Sequence, residues 1–244
     1  WAFGSQDAFL TAARAWLEDH GLSDIRVVEP TGIDPAGTAT AVYLVALGRL
    51  ALQNPVVAEI VASKAVQVPD IGRVTNTNVL LGRDGIDGIK TGTLNSFGAN
   101  LLFSADVEVG STSIPIVGVV LGGPDHPRIN ADIRKLLASV TAGFREVPLV
   151  AAGDAFATYE TPWEAEAAAI AATDASIVVW SDTPVTVKIS AETIRLGEDG
   201  QPIGEAVFTA GDARVTVPLE LSASIEDPGP WWRLGHPQLI FGMR

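Results

Sequence analysis

The chain has 244 residues, of which 47% are apolar and 18% charged, and its formal net charge is −13. This composition can fill a folded core and is unlike that of a disordered chain. The negative charge argues against nucleic acid binding, because a phosphate backbone selects basic surfaces, and against attachment to anionic lipid. Because the chain has no cysteine, it has no disulfide, no thiolate metal site and no cysteine nucleophile.

The three histidines do not form a metal-binding pattern. His20, His126 and His236 lie far apart and lack the spacing of metal ligands. We interpret each as a surface or helix-end residue. The sequence therefore predicts no metal site and no organic cofactor.

The first part of the chain carries helical patterns. Residues 5–20 have apolar residues at helical spacing, with Ser5 as a good N-cap and Gly21 as a stop. A second helix is predicted over 40–53, and the pair Asn54-Pro55 can begin a short third helix through residue 62. The stretch 30–37 is rich in Pro and Gly and is predicted to be a loop.

From about residue 64 the apolar runs become shorter and partly β-branched, which predicts strands. These runs are 79–81, 86–89, 100–104 and 114–121. A hairpin turn is predicted at 109–112, and an apolar face at helical spacing returns over 128–143. Residues 1–145 are therefore predicted to form an α+β domain, an antiparallel sheet with helices.

After Val147 short apolar runs recur about every ten residues, which is typical of a small all-β domain, a sandwich or a partial barrel. The runs are 155–161, 165–171, 175–180, 184–190, 203–209 and 214–224. The alanine-rich run within 164–172 also fits a helix on propensity alone. This second domain is predicted to span 146–228.

The tail, 229–244, combines aromatic residues with proline. Trp231 and Trp232 follow Pro230, and Leu239-Ile240-Phe241 comes soon after. These side chains suit a membrane interface, and they equally suit the closing of the β domain. No run of roughly 18 apolar residues occurs, so we expect membrane association to depend on segments outside the chain or at its end. The sequence begins at Trp1 and its only methionine is Met243, so we expect a longer translation product.

The most specific local signal is the run Gly85-Ile86-Asp87-Gly88-Ile89-Lys90-Thr91-Gly92-Thr93. A phosphate loop does not fit, because glycine must directly precede the lysine and Ile89 stands there. Lys-Thr-Gly at the end of a predicted strand resembles the third motif of penicillin-binding proteins and β-lactamases. The triplet alone is common, so the surrounding residues determine whether the resemblance is meaningful.

The resemblance extends over nearly the whole chain. Residues 76–92 are similar to the stretch that enters the active-site strand of serine-type D-alanyl-D-alanine carboxypeptidases. Further similarity lies in 9–22, 30–33, 117–123, 128–143, and in 147–150 with Gly153-Asp154. The resemblance implies an incomplete penicillin-binding or β-lactamase-like domain, followed by the family's β domain. It also implies an extracytoplasmic, wall-associated or membrane-associated location.

The resemblance assigns roles to five residues. Lys90 supplies positive potential beside the serines, and the backbone N–H of Thr93 stabilises the oxyanion. Thr91 donates to the substrate's terminal carboxylate, and Gly92 allows close approach. Arg128 is the candidate for an arginine that the family has near that carboxylate. Two departures are Leu94, where the family usually has threonine, and Phe97, where it usually has alanine.

The serine nucleophile of the family is missing from the sequence. None of the four lysines has a serine three residues before it, and no Ser-x-Asn occurs. A hydroxyl without a positioned base is inert at neutral pH. We expect both serine motifs to lie upstream of Trp1, as they do in the family, or to belong to another chain. The alternative is a degenerate relative without catalytic activity.

The favoured function is therefore a peptidoglycan D-alanyl-D-alanine carboxypeptidase that acts through an acyl-serine intermediate. Its partners would be the peptidoglycan stem peptide and β-lactams. A class A-like β-lactamase shares the triplet, but the β-rich second half argues against it. A non-catalytic, cell-wall-associated scaffold and a general α+β protein with a chance Lys-Thr-Gly also remain open.

Overall fold

The computed structural model describes residues 2–238, and the chain divides between Ala142 and Gly143 into two compact units. The first unit is built from four helices and five strands among these described residues. They are α1 (Gln6–Asp19), α2 (Ala41–Leu52), α3 (Pro55–Ala62), β1 (Ala65–Val68), β2 (Gly72–Thr75), β3 (Ile86–Leu94), β4 (Gly98–Val109), β5 (Thr112–Gly123) and α4 (His126–Gly143).

An antiparallel sheet in the order β3-β4-β5 forms the middle of the first unit. One face of β4 carries Leu101 and Phe103, which are buried in a cluster with Ile129 and Ile133 of α4. The ring of Phe103 lies over Gly118 of β5, where a methyl group would come within 2.4 Å of the ring. Helix α4 therefore covers this face of the sheet through a close-packed apolar layer.

Helix α2 lies on the opposite face of the sheet. A Cβ atom at Gly48 would meet side chains of all three strands, those of Ile89, Leu102 and Val117, at 3.1–3.3 Å. The absent side chain lets the helix approach the sheet closely. Helix α1 packs outside α2 through Leu17. The sheet thus lies between α4 on one side and α2 with α1 on the other.

Side-chain caps define the starts of the first three helices. Ser5 Oγ accepts a hydrogen bond from the backbone N–H of Ala8, and Thr40 Oγ1 does the same for Tyr43. Asn54 Oδ1 accepts from Val56 and Val57. Each cap satisfies N–H groups that have no partner within the helix.

The second unit is a sandwich of two antiparallel sheets, one in the order β10-β11-β12-β8-β7 and the other of β6 with β9. Side chains of both sheets share a core, in which Ile177 and Val179 of β9 meet Ala210 of β11. The elements are β6 (Phe144–Val150), β7 (Ala155–Glu160), β8 (Glu166–Ala171), β9 (Ala175–Trp180), β10 (Thr186–Ala191), β11 (Pro202–Ala210), β12 (Ala213–Leu221) and α5 (Gly229–Gly235).

The α+β class is confirmed, as are the predicted helices and most strands. The alanine-rich run is strand β8, in which alternate alanines are buried.

The strand predicted over 79–81 is wrong. There Asn78 Oδ1 accepts from the N–H of Leu80, and Asn76 Oδ1 accepts from the N–H of Asn78. These short side-chain bonds favour a turn over an extended strand. Strands β1, β2 and β6 were not predicted.

The two tail tryptophans have different surroundings. Trp232 lies edge to face with Trp163, with ring centroids 5.8 Å apart, whereas Trp231 is 84% exposed. The Leu239-Ile240-Phe241 part of the predicted tail lies outside the described residues. Within 2–238 no single helix has the length and apolarity to cross a membrane, and α2 with α3 would qualify only as a pair bent by 107°.

Candidate active site

The Lys-Thr-Gly triplet lies on β3, an edge strand of its sheet in the described part of the chain. The hairpin to β4 is closed where the N–H of Phe97 donates to the carbonyl of Leu94 at 2.9 Å. Leu94 therefore directs its backbone groups toward β4, and because successive residues alternate, Thr93 and Thr91 direct theirs toward the open edge. The edge thus offers the N–H of Thr93 to a ligand.

A cavity of about 750 Å³ lies beside this edge. Lys90, Gly92 and Thr93 line it together, and a Cβ atom at Gly92 would have no neighbour within 4 Å. The triplet glycine therefore faces open space that a ligand could fill. The other lining residues are Gly32, Ile33, Asp34, Gly37, Thr38, Ala39, Leu44, Leu94, Phe97, Asn100, Leu121 and Gly122.

The loop on the other side of the cavity is organised by Glu29. Its carboxylate accepts hydrogen bonds from the backbone N–H groups of Thr31, Ile33 and Asp34 at 2.5–3.2 Å. The hydrogen bond from the Thr31 side chain, with these backbone bonds, lowers the pKa of Glu29 to about 2. An ionised Glu29 thereby holds Ile33 and Asp34 at the cavity wall.

The segment before β3 is tied to the strand by polar side chains. Thr77 Oγ1 and Thr91 Oγ1 are 2.5 Å apart, a hydroxyl–hydroxyl hydrogen bond. The buried Asn78 donates through Nδ2 to the carbonyl of Gly88 at 2.9 Å. Buried polar groups of this kind fix one arrangement, because leaving either partner unpaired is costly. The predicted similarity of 76–92 therefore corresponds to one hydrogen-bonded assembly.

Lys90 and Thr93 each have a polar contact of their own. Lys90 Nζ donates to the carbonyl of Thr91, one of the groups at the open edge. Thr93 Oγ1 lies 2.6 Å from Nε2 of His126, the first residue of α4. The sequence interpretation of His126 as a helix-end residue placed it correctly but missed this contact, since 33 positions separate the pair. Only the fold shows that the start of α4, which follows β5, lies beside β3.

Arg128 is held by its own helix. Its backbone N–H donates to Asp125 Oδ1 at 2.8 Å, and its Nε lies 3.7 Å from Asp125 Oδ2. The Arg128 side chain is 71% exposed. An exposed ion pair of this kind contributes little to stability. The structure therefore brings Lys90, Gly92 and Thr93 together at the cavity and places Arg128 in a local pair with Asp125.

Metal ligands do not come together in the part of the chain that the structure describes. Between residues 2 and 238, no three His, Asp or Glu side chains form a group that could hold a metal ion. The chemistry that the site offers is an ammonium group, hydroxyls and backbone N–H donors around an open groove.

The family follows from a comparison of the sequence with family models. Residues 2–125 match the model described as D-alanyl-D-alanine carboxypeptidase, which covers more than half of the chain and includes all of β3 and the cavity loop. The chain belongs to the D-alanyl-D-alanine carboxypeptidase family. The predicted resemblance is thereby confirmed.

Solved structures of this kind of protein share the fold at low sequence identity. Penicillin-binding protein 5 from Haemophilus influenzae is 22% identical with a TM-score of 0.56, covering 92% of this chain and 67% of its own. Penicillin-binding protein 6B from Escherichia coli is 22% identical with a TM-score of 0.57, covering 89% and 61%. PBP3 from Streptococcus pneumoniae is 21% identical with a TM-score of 0.56, covering 92% and 71%. Curated protein sequences give no match.

Proposed function

We propose that this chain supplies the Lys-Thr-Gly side of the active site of an acyl-serine D-alanyl-D-alanine carboxypeptidase. The observation that carries the proposal is the open edge of β3, where the N–H of Thr93 faces a cavity that Lys90 and Gly92 also line. A peptide that ends in D-alanyl-D-alanine can lie along this edge as an added strand. The family match supports the same reaction.

Each group on the edge has a defined task in this proposal. The N–H of Thr93 donates to the carbonyl oxygen of the scissile bond and stabilises its negative charge in the transition state. The hydroxyl of Thr91 donates to the terminal carboxylate, and the ammonium group of Lys90 adds positive potential. Lys90 must then exchange its bond to the Thr91 carbonyl for one toward the ligand. A long lysine side chain can make this movement.

The reaction proceeds in two balanced steps. A serine Oγ attacks the carbonyl carbon of the penultimate D-alanine, its proton passes to the leaving nitrogen, and free D-alanine departs. Water then attacks the acyl-serine ester, which restores the serine hydroxyl and releases the shortened peptide. A β-lactam would acylate the same serine. Because no Ser-x-x-Lys occurs in the 244 residues, the proposal places the nucleophile in polypeptide outside this sequence.

Exposed apolar side chains in the first unit support a covering partner of this kind. Val42 of α2 and Ile60 of α3 are largely exposed, and Val66 of β1 and Val74 of β2 are also exposed. Exposed apolar side chains favour burial against a partner. The serine-bearing polypeptide is the occupant that the proposal requires.

The proposal also covers organisation and location. Residues 1–145 would be the C-terminal portion of the penicillin-binding domain, 146–228 the accompanying β domain, and 229–244 a tail toward a membrane anchor. Exposed Trp231 suits such an interface. The protein would then act outside the cytoplasm, where peptidoglycan stem peptides and β-lactams are encountered.

The test is covalent labelling of the gene product, translated from its own initiation codon, with a fluorescent penicillin. We expect labelling that Lys90→Ala reduces at least about a hundredfold, because the positive potential beside the serine is lost. Lys188→Ala is the matched control, since Lys188 lies on the exposed strand β10 of the second unit. Absence of labelling, or an equal loss in both variants, contradicts the proposal.

A non-catalytic scaffold is the second candidate, and the missing Ser-x-x-Lys is the observation that favours it. In that case the gene product would bind wall peptides without forming a covalent penicillin adduct. A class A-like β-lactamase would instead form the adduct and hydrolyse it through many cycles. Measuring both the adduct and the release of hydrolysed penicillin separates the three functions.

A further inference from the structure

His126 and Thr93 form a pair at the end of the active-site strand that none of the predicted roles uses. His126 Nε2 lies 2.6 Å from Thr93 Oγ1, and Thr93 lines the cavity. We propose that His126 is a positioning residue for the substrate's terminal carboxylate, acting through the hydroxyl of Thr93. This inference rests on the proposed function and adds His126 to the residues proposed for the carboxylate site.

His126 and Arg128 differ in the residues that they contact. The guanidinium of Arg128 is paired with Asp125 in the first turn of α4, and the Arg128 side chain is largely exposed. The half-buried imidazole of His126, in contrast, contacts a residue whose backbone N–H faces the cavity edge. His126 therefore forms the hydrogen bond between α4 and β3, whereas Arg128 contacts Asp125.

The protonation state of the imidazole decides what the Thr93 hydroxyl can do. When Nε2 carries no hydrogen, the hydroxyl donates its proton to the ring and has none left for a ligand. When the ring is protonated, Nε2–H donates to Oγ1, and the hydroxyl proton is free to reach a carboxylate oxygen. The positive charge of the ring favours that carboxylate as well.

Other charged groups lie around this pair. Lys90 on β3 and Arg128 on α4 add positive charge, whereas Asp125 before α4 and Asp34 in the cavity loop add negative charge. Histidine is the residue type that changes charge between about pH 5 and 8. Across this range the carboxylates and the Lys and Arg side chains of ordinary proteins keep their charge. Among side chains with ordinary pKa values, only a histidine therefore accounts for a pH dependence of carboxylate binding in this range.

The test measures binding of N-acetyl-D-alanyl-D-alanine and of its C-terminal amide to the 244-residue chain by NMR at about pH 5.5 and about pH 8. We expect the carboxylate ligand to bind roughly fivefold more tightly at the lower pH, the effect of one charge-assisted hydrogen bond in an exposed site. The amide, which has no negative charge, is expected to show no such difference.

Two histidine variants complete the test. His126→Gln can still donate to Thr93 but cannot become charged, so its affinity for the carboxylate ligand should be the same at both pH values. His20→Gln, a histidine on the distant C-cap of α1, should keep the pH dependence. The inference is overturned if His126→Gln keeps the pH dependence, if Arg128→Gln alone removes it, or if the unaltered chain binds neither ligand. Penicillin labelling of the gene product tests the proposed function independently of this binding experiment.

Discussion

Thr77 and Thr91 are joined by a hydroxyl–hydroxyl hydrogen bond of 2.5 Å, which links the segment before β3 to the Lys-Thr-Gly triplet itself. Thr91 is the residue proposed to donate to the substrate carboxylate, so Thr77 determines where that hydroxyl points. The geometry of the proposed carboxylate site would thus depend on a residue fourteen positions earlier in the chain.

Replacing Thr77 by valine tests whether this hydrogen bond stabilises the fold and orients the Thr91 hydroxyl. Thr77→Val keeps the side-chain shape but removes one partner of the bond, so we expect the free energy of unfolding to fall by about 0.5–1.5 kcal/mol. Binding of N-acetyl-D-alanyl-D-alanine should weaken, because the Thr91 hydroxyl is no longer oriented. Chemical denaturation and NMR titration measure the two quantities. Thr77→Ser, which keeps the hydroxyl, is the control and should restore both.

Two glycines, one on each outer strand of the three-stranded sheet, should respond differently to alanine. At Gly118 the new methyl group would come within 2.4 Å of the buried Phe103 ring, so Gly118→Ala should cost about 1–3 kcal/mol of stability. At Gly92 nothing lies within 4 Å, so Gly92→Ala should change stability by less than about 0.5 kcal/mol but impair ligand binding at the cavity. Denaturation and binding curves of both variants check this. An equal loss of stability in the two variants would contradict the open space at Gly92 on the edge of β3.

Acid should loosen the loop that Glu29 organises. The pKa of Glu29 is lowered from 4.5 to about 2, so its contribution to stability is fully present above about pH 4.5. It is lost as the pH falls toward 2, when the carboxylate is protonated in the folded state. Thermal unfolding of the unaltered chain and of Glu29→Gln should therefore differ above pH 4.5 and converge near pH 2. If the unfolding temperatures of the two proteins differ by the same amount at every pH, the Glu29 carboxylate does not stabilise this loop.

The exposed apolar surface on α2 and α3 should make the 244-residue chain self-associate. Val56→Ser with Ile60→Ser should reduce this association, because exposed apolar area drives it. Stability should change little, since both side chains are mostly in solvent. Sedimentation velocity and thermal unfolding measure the two properties. Leu17→Ser, in the buried cluster between α1 and α2, should instead destabilise the fold.

Local patterns predicted the elements that carry strong chemical signals of their own. The caps Ser5, Thr40 and Asn54 begin α1, α2 and α3, and the run ending at Thr93 is strand β3. Where side-chain bonds compete with the backbone, as at Asn78, apolar content alone predicted a strand that does not exist.

Long-range contacts could not be predicted in the same way. The bond between Thr93 and His126 spans 33 positions and depends on β4 and β5 bringing the start of α4 back to β3. The pair of Arg128 with Asp125, in contrast, is local, because the two residues are three positions apart at the start of α4. The resemblance to the family identified the strand, but only the folded chain shows which side chains contact it.

In the proposed reaction the backbone N–H of Thr93 stabilises the oxyanion. A crystal structure of the penicillin-treated gene product tests this role. We predict an acyl-serine adduct whose carbonyl oxygen lies about 2.7–3.1 Å from the Thr93 nitrogen, with the penicillin carboxylate at the Thr91 hydroxyl. An adduct whose carbonyl oxygen points away from β3, or a serine ester formed elsewhere on the protein, would contradict this role of Thr93.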